Sequence, residues 1–521
     1  MTTIRRKNFL WGAFSGWTAN VITTVIGIIS APLGLRYFGV ERYGAIAIIS
    51  TLLTYLSTCQ IGLPTTVNVL AAKALDKLNQ LRIILKAFIL TLIIVIVVSA
   101  GFLLYTHYTP HWLNLLGKIP STIYHEVSQA TFVSAILFLI NLPLSMFIGG
   151  FVANQKVYIE RFYSTLSAIM PFLALLVVIG IKGNLVVYCL IRGILTIIVS
   201  LFGAIHFLLF YEDNRIYIKA KFTKLFQPSD VEEFSVQSIL ATGLRFFIIG
   251  LATMVVWNTD NLIISHFLGL KAVTPYSITF KLITSTFFIF SAASFPIIPM
   301  FGRAYASGDY QWIEQTCNKM IVSLSLLGGL VWIGSIAFAQ DIINLWVGPK
   351  GYAGMLTVFS LGGYAYFCSV INGPGSLSTG LNFINIFIAW SEAIVNFVLS
   401  LVFVKYFNLG IGGTALGTFL GAVLTVFWML PVYIHKRSKG KIKLNYLPMI
   451  KNFLSIILPF LVCVFIIYYF PIDKNVKRIL NMLIVGLYGL ITYRILPEEI
   501  KEIFLHFWNR PIFKNRKING K

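Results

Sequence analysis

The sequence predicts an all-α polytopic membrane protein of about 14 transmembrane helices, built as two parallel six-helix lobes plus two C-terminal helices. Three observations carry this. Of the 521 residues, 57% are hydrophobic and 11% are charged, whereas soluble domains carry about a quarter charged residues. Apolar runs close to the ~20 residues that cross a bilayer recur along the whole chain. Short stretches also repeat at a spacing near 230 positions, as in RYFGVERYGAIAIISTL (36–52) and HFLGLKAVTPYSITFKL (266–282).

In chain order the spans fall at 8–35, 43–70, 84–106, 127–152, 160–181, 185–210, 236–266, 272–300, 318–338, 352–372, 383–404, 411–434, 448–470 and 479–496. The first follows a basic start and is about twice as long as a signal-peptide core. No small-residue cleavage pattern follows it, so it reads as a membrane helix. No polar segment exceeds about thirty residues, too few for a soluble domain. Prolines at 32, 64, 143, 171, 296, 299, 431 and 459 bend or soften their spans, as does GPGSLSTG (373–380) after span 10.

The repeat predicts the lobes. Gly39 matches Gly269, ANQKVYIE from Ala153 matches GLNFINIF from Gly380, and Gly193 matches Gly421. Spans 1–6 and 7–12 are then two copies of one unit. Six crossings return the chain to its starting side, so the copies are parallel, related by an axis along the membrane normal. The domains expected are an N-terminal lobe (1–211), a linker (212–235) and a C-terminal lobe (236–435). Two extra helices (436–496) and a basic tail (497–521) follow.

Orientation follows from Lys and Arg. Of 41 such residues, 28 lie on the side of the N-terminus and 10 on the other, so both termini are expected in the cytoplasm. The net charge of +23 is then that of loop anchors such as HKRSKGKIK (435–443), and no nucleic-acid partner is expected. Cys59, Cys189, Cys317, Cys368 and Cys463 show no CxxC spacing. His107, His111, His125 and Glu126 share a loop but match no ligand spacing. No metal, cofactor or catalytic residue is expected, and no Walker pattern occurs.

Two segments carry a family likeness: PLGLRYFGVERYGAIAIISTLLTYLSTCQIGLPTTVNVLAAKAL from Pro32, and GLNFINIFIAWSEAIVNFVLSLVFVKYFNLGIGGTALGTFLGAV from Gly380. They resemble the polysaccharide flippases of the multidrug/oligosaccharidyl-lipid/polysaccharide exporter superfamily. The resemblance implies transfer of undecaprenyl-diphosphate-linked oligosaccharide units (O-antigen or capsule repeats) across a bacterial cytoplasmic membrane. A coupling proton or sodium ion and a polysaccharide polymerase partner are further implications. Alternatives are a lipid II or multidrug exporter of the same superfamily, or a polymerase or ligase. Lipid II flippases carry arginines within their first helices; here Arg36 and Arg42 lie in the loop after span 1.

Five charged residues fall within spans: Arg192, Arg245, Asp260, Lys281 and Glu392. A charge at the bilayer centre costs at least about 2.5–3.5 kcal/mol, so such groups face a partner or a watery cavity. Arg245, roughly 15 Å deep, Lys281 and Arg192 are candidates for binding a substrate phosphate. Asp260 and Glu392 are candidates for ion coupling. Asp260 and Lys281 lie at matched depth on either side of a turn, which predicts either an ion pair or a role in transport.

Overall fold

The computed structural model describes residues 3–74, 76–109, 111–154, 156–210, 235–294, 300–301, 304–305, 307–375, 383–498 and 501. Pro296, Pro299, residues 212–234 of the linker, residues 376–380 of the break after span 10 and nearly all of the tail lie outside these. Among the described residues there is no strand, and eleven helices are long and apolar enough to cross a membrane. The protein is therefore a multi-pass membrane protein.

The first helix, α1 (Thr3–Ser57), holds two crossings joined at Gly39 (φ 75°, ψ 175°). The helices α2 (Leu63–Lys73), α3 (Lys77–Tyr108), α4 (Ser121–Ala153), α5 (Val157–Gly180) and α6 (Leu185–Ile205) complete the first lobe. The second lobe holds α7 (Val236–Leu268), α8 (Leu270–Ser294), α9 (Tyr310–Trp346), α10 (Met355–Gly375) and α11 (Phe383–Lys405). Its last crossing is the broken pair α12 (Gly410–Leu424) and α13 (Val426–Arg437). The extra helices are α14 (Leu447–Asn452), continued through a π-helical turn into α15 (Leu458–Tyr469), and α16 (Lys474–Ile495). The fourteen expected spans all fall largely on described helix, span 2 on the end of α1 and on α2, span 12 on α12 and α13, and span 13 on α14 and α15.

Helix starts follow from short polar caps. Asp76, Asn184, Ser235 and Asp309 each accept a hydrogen bond from the backbone N–H three residues on, satisfying a donor the helix leaves free. One of the prolines expected to bend spans starts a helix instead: Pro64 opens α2 after the left-handed Gly62, where the missing N–H costs nothing, whereas Pro459 follows directly on the π-helical turn inside the α14–α15 span. Pro32 is truly internal. It cannot donate to the carbonyl of Ile28 four residues back, and that oxygen accepts the indole N–H of Trp346 from the second lobe at 2.7 Å.

The repeat is visible in the packing. Helix α1 packs on α5 as α7 packs on α11; α3 on α4 as α9 on α10; α4 on α6 as α10 on α12; and α5 on α6 as α11 on α12. The two hairpin glycines have nearly the same conformation, Gly269 having φ 85° and ψ 171°. An L side chain is strained at such a φ, which is why both turns use glycine. The extra helices fasten to the second lobe. Arg478 makes a two-pronged bond to Asp341 of α9 (3.0 and 2.8 Å), and the Tyr488 hydroxyl donates to the Leu326 carbonyl (2.9 Å).

The lobes meet between the two hairpins, on the side opposite the N-terminus, and also where Gly62 abuts Gly243 of α7. The Thr274 hydroxyl donates to the carbonyl of Val40 (2.6 Å), and Lys271 pairs with Glu41 (3.0 Å). Gly44 lies so close to the Leu270 carbonyl that a Cβ there would collide with it. Replacing Gly44 with alanine is therefore expected to destabilise the joint by about 1–3 kcal/mol, as overpacking does. Gly16→Ala, where a Cβ meets nothing within 4 Å, is expected to be near neutral. Melting temperatures of the purified variants in detergent check both outcomes.

Candidate functional site

A cavity of about 310 Å³ lies inside the first lobe, walled by both crossings of α1 and by α5 and α6. The second lobe supplies one wall, Ser277 and Lys281 of α8. Thr23, Ser30 and Ser50 line it with hydroxyls, and Arg192 of α6 faces them, its Nη1 donating to the Ser50 hydroxyl at 3.3 Å. No aspartate or glutamate lines it. Lys281 reaches in beside Gly27 of α1, where a Cβ would stand 2.8 Å from its Cε and 3.2 Å from its Nζ. Glycine at 27 thus leaves room for the ammonium.

Two of the three residues expected to bind phosphate, Arg192 and Lys281, therefore share one cavity. The third does not join them: Arg245 is exposed on α7 and is not part of its wall.

The ion pair that matched depth allowed between Asp260 and Lys281 is not formed. Asp260 is 3% exposed and accepts hydrogen bonds at Oδ2 from the hydroxyls of Tyr276 of α8 and Thr418 of α12, the latter at 2.9 Å. Tyr276 and Lys281 are five residues apart on one helix, which at 100° per residue turns them about 140° from each other. The face of α8 that meets Asp260 is therefore not the face that carries Lys281. Depth along a helix was legible from the sequence; rotation about it was not.

Asp260 sits at the head of a buried polar chain. Asn396 of α11 donates to the Thr418 hydroxyl (3.2 Å) and to the Val256 carbonyl (3.4 Å), and the Ser400 hydroxyl donates to Asn396 Oδ1 (3.3 Å). Gly417 and Gly421 bring α12 hard against α11 at Ser400 and Asn396, as small residues do between membrane helices. The second carboxylate oxygen, Oδ1, is buried and makes no hydrogen bond. Glu392 is half-buried on α11. Sequence reasoning missed Tyr276, Asn396, Ser400 and Thr418. Their signal was weak, since neutral polar residues are common in membrane helices. The four-residue step from Asn396 to Ser400, facing two glycines on α12, was the one usable pattern.

Elsewhere Glu126, noted above as part of a loop cluster, has structural partners. It pairs with Arg42 (2.8 Å) and accepts from the backbone N–H of Leu185 at the start of α6 (3.1 Å).

The family model MatE matches residues 247–371, the stretch that holds Asp260, Tyr276 and Lys281. A protein of Salmonella typhimurium named "Putative O-antigen transporter" is 25% identical over 438 residues, covering 82% of this chain and 97% of its own length. One of the same name from Salmonella typhi is 23% identical over 455 residues, covering 84% and 98%. The structure of the lipid II flippase MurJ in an inward closed conformation superposes with a TM-score of 0.64 at 14% identity, over 92% of this chain and 98% of that one. An inward-facing multidrug resistance MATE family transporter gives 0.61 at 15% identity, over 81% and 95%. The fold is that of these MurJ and MATE transporter structures. The resemblance to polysaccharide flippases, read above from two segments, extends over most of the chain. These relatives are named as transporters and flippases, not as enzymes.

The polar chain makes one prediction about stability. Thr418→Val removes a donor from Asp260 and the acceptor for Asn396. It is expected to cost about 0.6–1.7 kcal/mol, the range for such bonds between membrane helices, read as a lower unfolding midpoint with normal insertion.

Proposed function

We propose that this protein is a flippase that carries undecaprenyl-diphosphate-linked oligosaccharide units from the inner to the outer leaflet of a bacterial cytoplasmic membrane by alternating access. The observation that carries this reading is the meeting of Arg192 and Lys281 in one acid-free cavity, in a chain similar to proteins named as O-antigen transporters. An anion that leaves water for an apolar medium needs a paired charge. The arginine offers a planar fork to two oxygens, and the lysine offers a mobile point charge. A cationic drug would meet repulsion here, which disfavours the multidrug reading.

Both termini are placed in the cytoplasm by the basic-residue bias, so the hairpin joint lies at the outer face. The lobes 1–211 and 236–435 rock about the cavity, and helices within 436–496 travel with the second lobe through Asp341 and Tyr488. The inside-negative potential favours export: two negative charges moved outward are worth roughly 4–5 kcal/mol per 100 mV. Asp260 and Glu392 are assigned to a coupling proton or sodium ion. Arg245 is assigned to the headgroup's approach to the cavity.

In a deletion strain, lipid-linked units are expected to accumulate on the cytoplasmic leaflet; unpolymerised units on the outer leaflet would point to a polymerase instead. With surface polysaccharide measured per molecule of inserted protein, Arg192→Ala and Lys281→Ala are each expected to lose at least tenfold. Arg245→Lys is expected to retain more output than Arg245→Ala. Asp260→Asn is expected to insert normally and to lose transport driven by an ion gradient; full gradient-driven transport in that variant would remove its coupling role.

A further inference from the structure

A second cavity, of about 490 Å³, lies in the seam between α1 and α5. Its walls are Ser15, Thr18 and Ile22 of α1 and Arg161, Phe162 and Thr165 of α5. Helix α5 starts at Val157, so its wall residues stand within about 12 Å of that helix start, on the side that carries the N-terminus. Large apolar side chains stand at its rim, Phe162 being 61% exposed and Ile22 41%.

The seam and the cationic cavity lie along the same faces of α1 and α5. On α1 the lower cavity takes Ser15, Ala19 and Ile22, and the upper takes Ile26 and Ser30. On α5 the lower takes Tyr158, Phe162 and Thr165, and the upper takes Ala168, Phe172 and Leu175. Steps of three and four keep each series on one helix face, so both helices offer an unbroken stripe from the membrane surface to Arg192 and Lys281.

The repeat gives a contrast in the second lobe among the described residues. The matching seam of the second lobe, α7 against α11, is shut. The indole of Trp390 donates to the Ile248 carbonyl (3.2 Å), and Ala252, Val256 and Ala393 pack the space beside it. At the repeat spacings of 228 and 230, Trp390 and Ile248 correspond to Phe162 and Thr18. The positions that seal one seam line the groove of the other.

We propose that the α1–α5 seam is a docking groove for the phosphate end of the polyprenyl carrier, which enters it sideways from the cytoplasmic leaflet and passes along it to the Arg192–Lys281 cavity. This rests on the transport reading above. Arg161, whose side chain is 47% exposed and pairs with Glu160 at 3.4 Å, offers a charge-assisted contact to the phosphate. The aromatic and aliphatic rim suits the first isoprene units while the rest of the chain stays in lipid. Alignment with the cationic cavity along both helix faces selects the carrier over bulk phospholipid as the occupant.

The test uses the full-length protein in vesicles of phosphatidylethanolamine and phosphatidylglycerol, with radiolabelled undecaprenyl diphosphate as probe. The photoreactive residue p-benzoylphenylalanine is placed singly at 162 (groove), at 172 (cationic cavity) and at 202, an α6 position of matching exposure, 62%. Position 162 is expected to capture labelled carrier well above position 202. Unlabelled undecaprenyl diphosphate should compete and added phosphatidylglycerol should not. Arg161→Gln should lower capture at 162 about two- to fivefold, the size of a partly exposed ion pair. Equal capture at 162 and 202, or competition by phosphatidylglycerol, would overturn the groove. Capture at 172 without capture at 162 overturns the groove and leaves the transport reading standing; capture at neither overturns both.

Discussion

The structure depends on one joint. Two glycine hairpins, 230 residues apart in sequence, meet face to face at one of the places where the lobes touch. Their contacts are related by the repeat: position 274 bonds the carbonyl of 40, while position 44 abuts the carbonyl of 270, and 41 pairs with 271. Each of these pairs links a residue to the neighbourhood of its own counterpart, which is what an axis along the membrane normal requires. A bulky residue at 44 would hold the hairpins apart. With them apart, α8 would no longer lie against α1, and Lys281 would not reach the cavity beside Gly27.

From that shared frame the two lobes have diverged in chemistry. The counterparts of Arg245, Asp260 and Lys281 at a spacing of 230 are Ser15, Ser30 and Thr51. Ser15 and Ser30 line the two cavities of the first lobe, and Thr51 accepts a bond from Asn261 of α7 at 3.1 Å. The first lobe thus keeps open, hydroxyl-lined space between its helices. The second closes the same space with Trp390 and uses it to bury a carboxylate network. Duplication supplies the helices and their packing order; small substitutions decide which copy holds a cavity and which holds buried charge.

Much of the frame was legible in the sequence because membrane physics constrains it tightly. Span length, the two hairpin glycines and the repeat all follow from satisfying the backbone inside a bilayer. Charges in spans stood out because each is costly there, and two of them, Arg192 and Lys281, line one cavity. The Asp260–Lys281 pair failed because polar residues are spread around α8, so periodicity gave no sign of which face meets α7. Tyr276 and Thr418 were invisible for a related reason: a hydroxyl is tolerated almost anywhere on a membrane helix, and only the fold tells which ones converge on a carboxylate. The space beside Gly27 was equally hidden, because what fills it comes from another lobe.

The two polar centres are separate in space and joined by one helix. Asp260 holds α8 through the Tyr276 hydroxyl, and five residues further on the same helix presents Lys281 to the first lobe. A helix transmits rotation and translation over one and a half turns almost rigidly, because its backbone bonds must all be kept in the bilayer. Under the proposed function, a change in what Asp260 binds therefore alters the position of Tyr276 and, with it, that of the cavity ammonium. The substrate's charge and the coupling charge need not touch to be linked. It suffices that each has a different affinity for the two placements of α8, which is the thermodynamic requirement for coupling. The failed ion pair is thus informative: had Asp260 neutralised Lys281, the ammonium would have been withdrawn from the cavity and the two charges would have cancelled instead of acting on separate ligands.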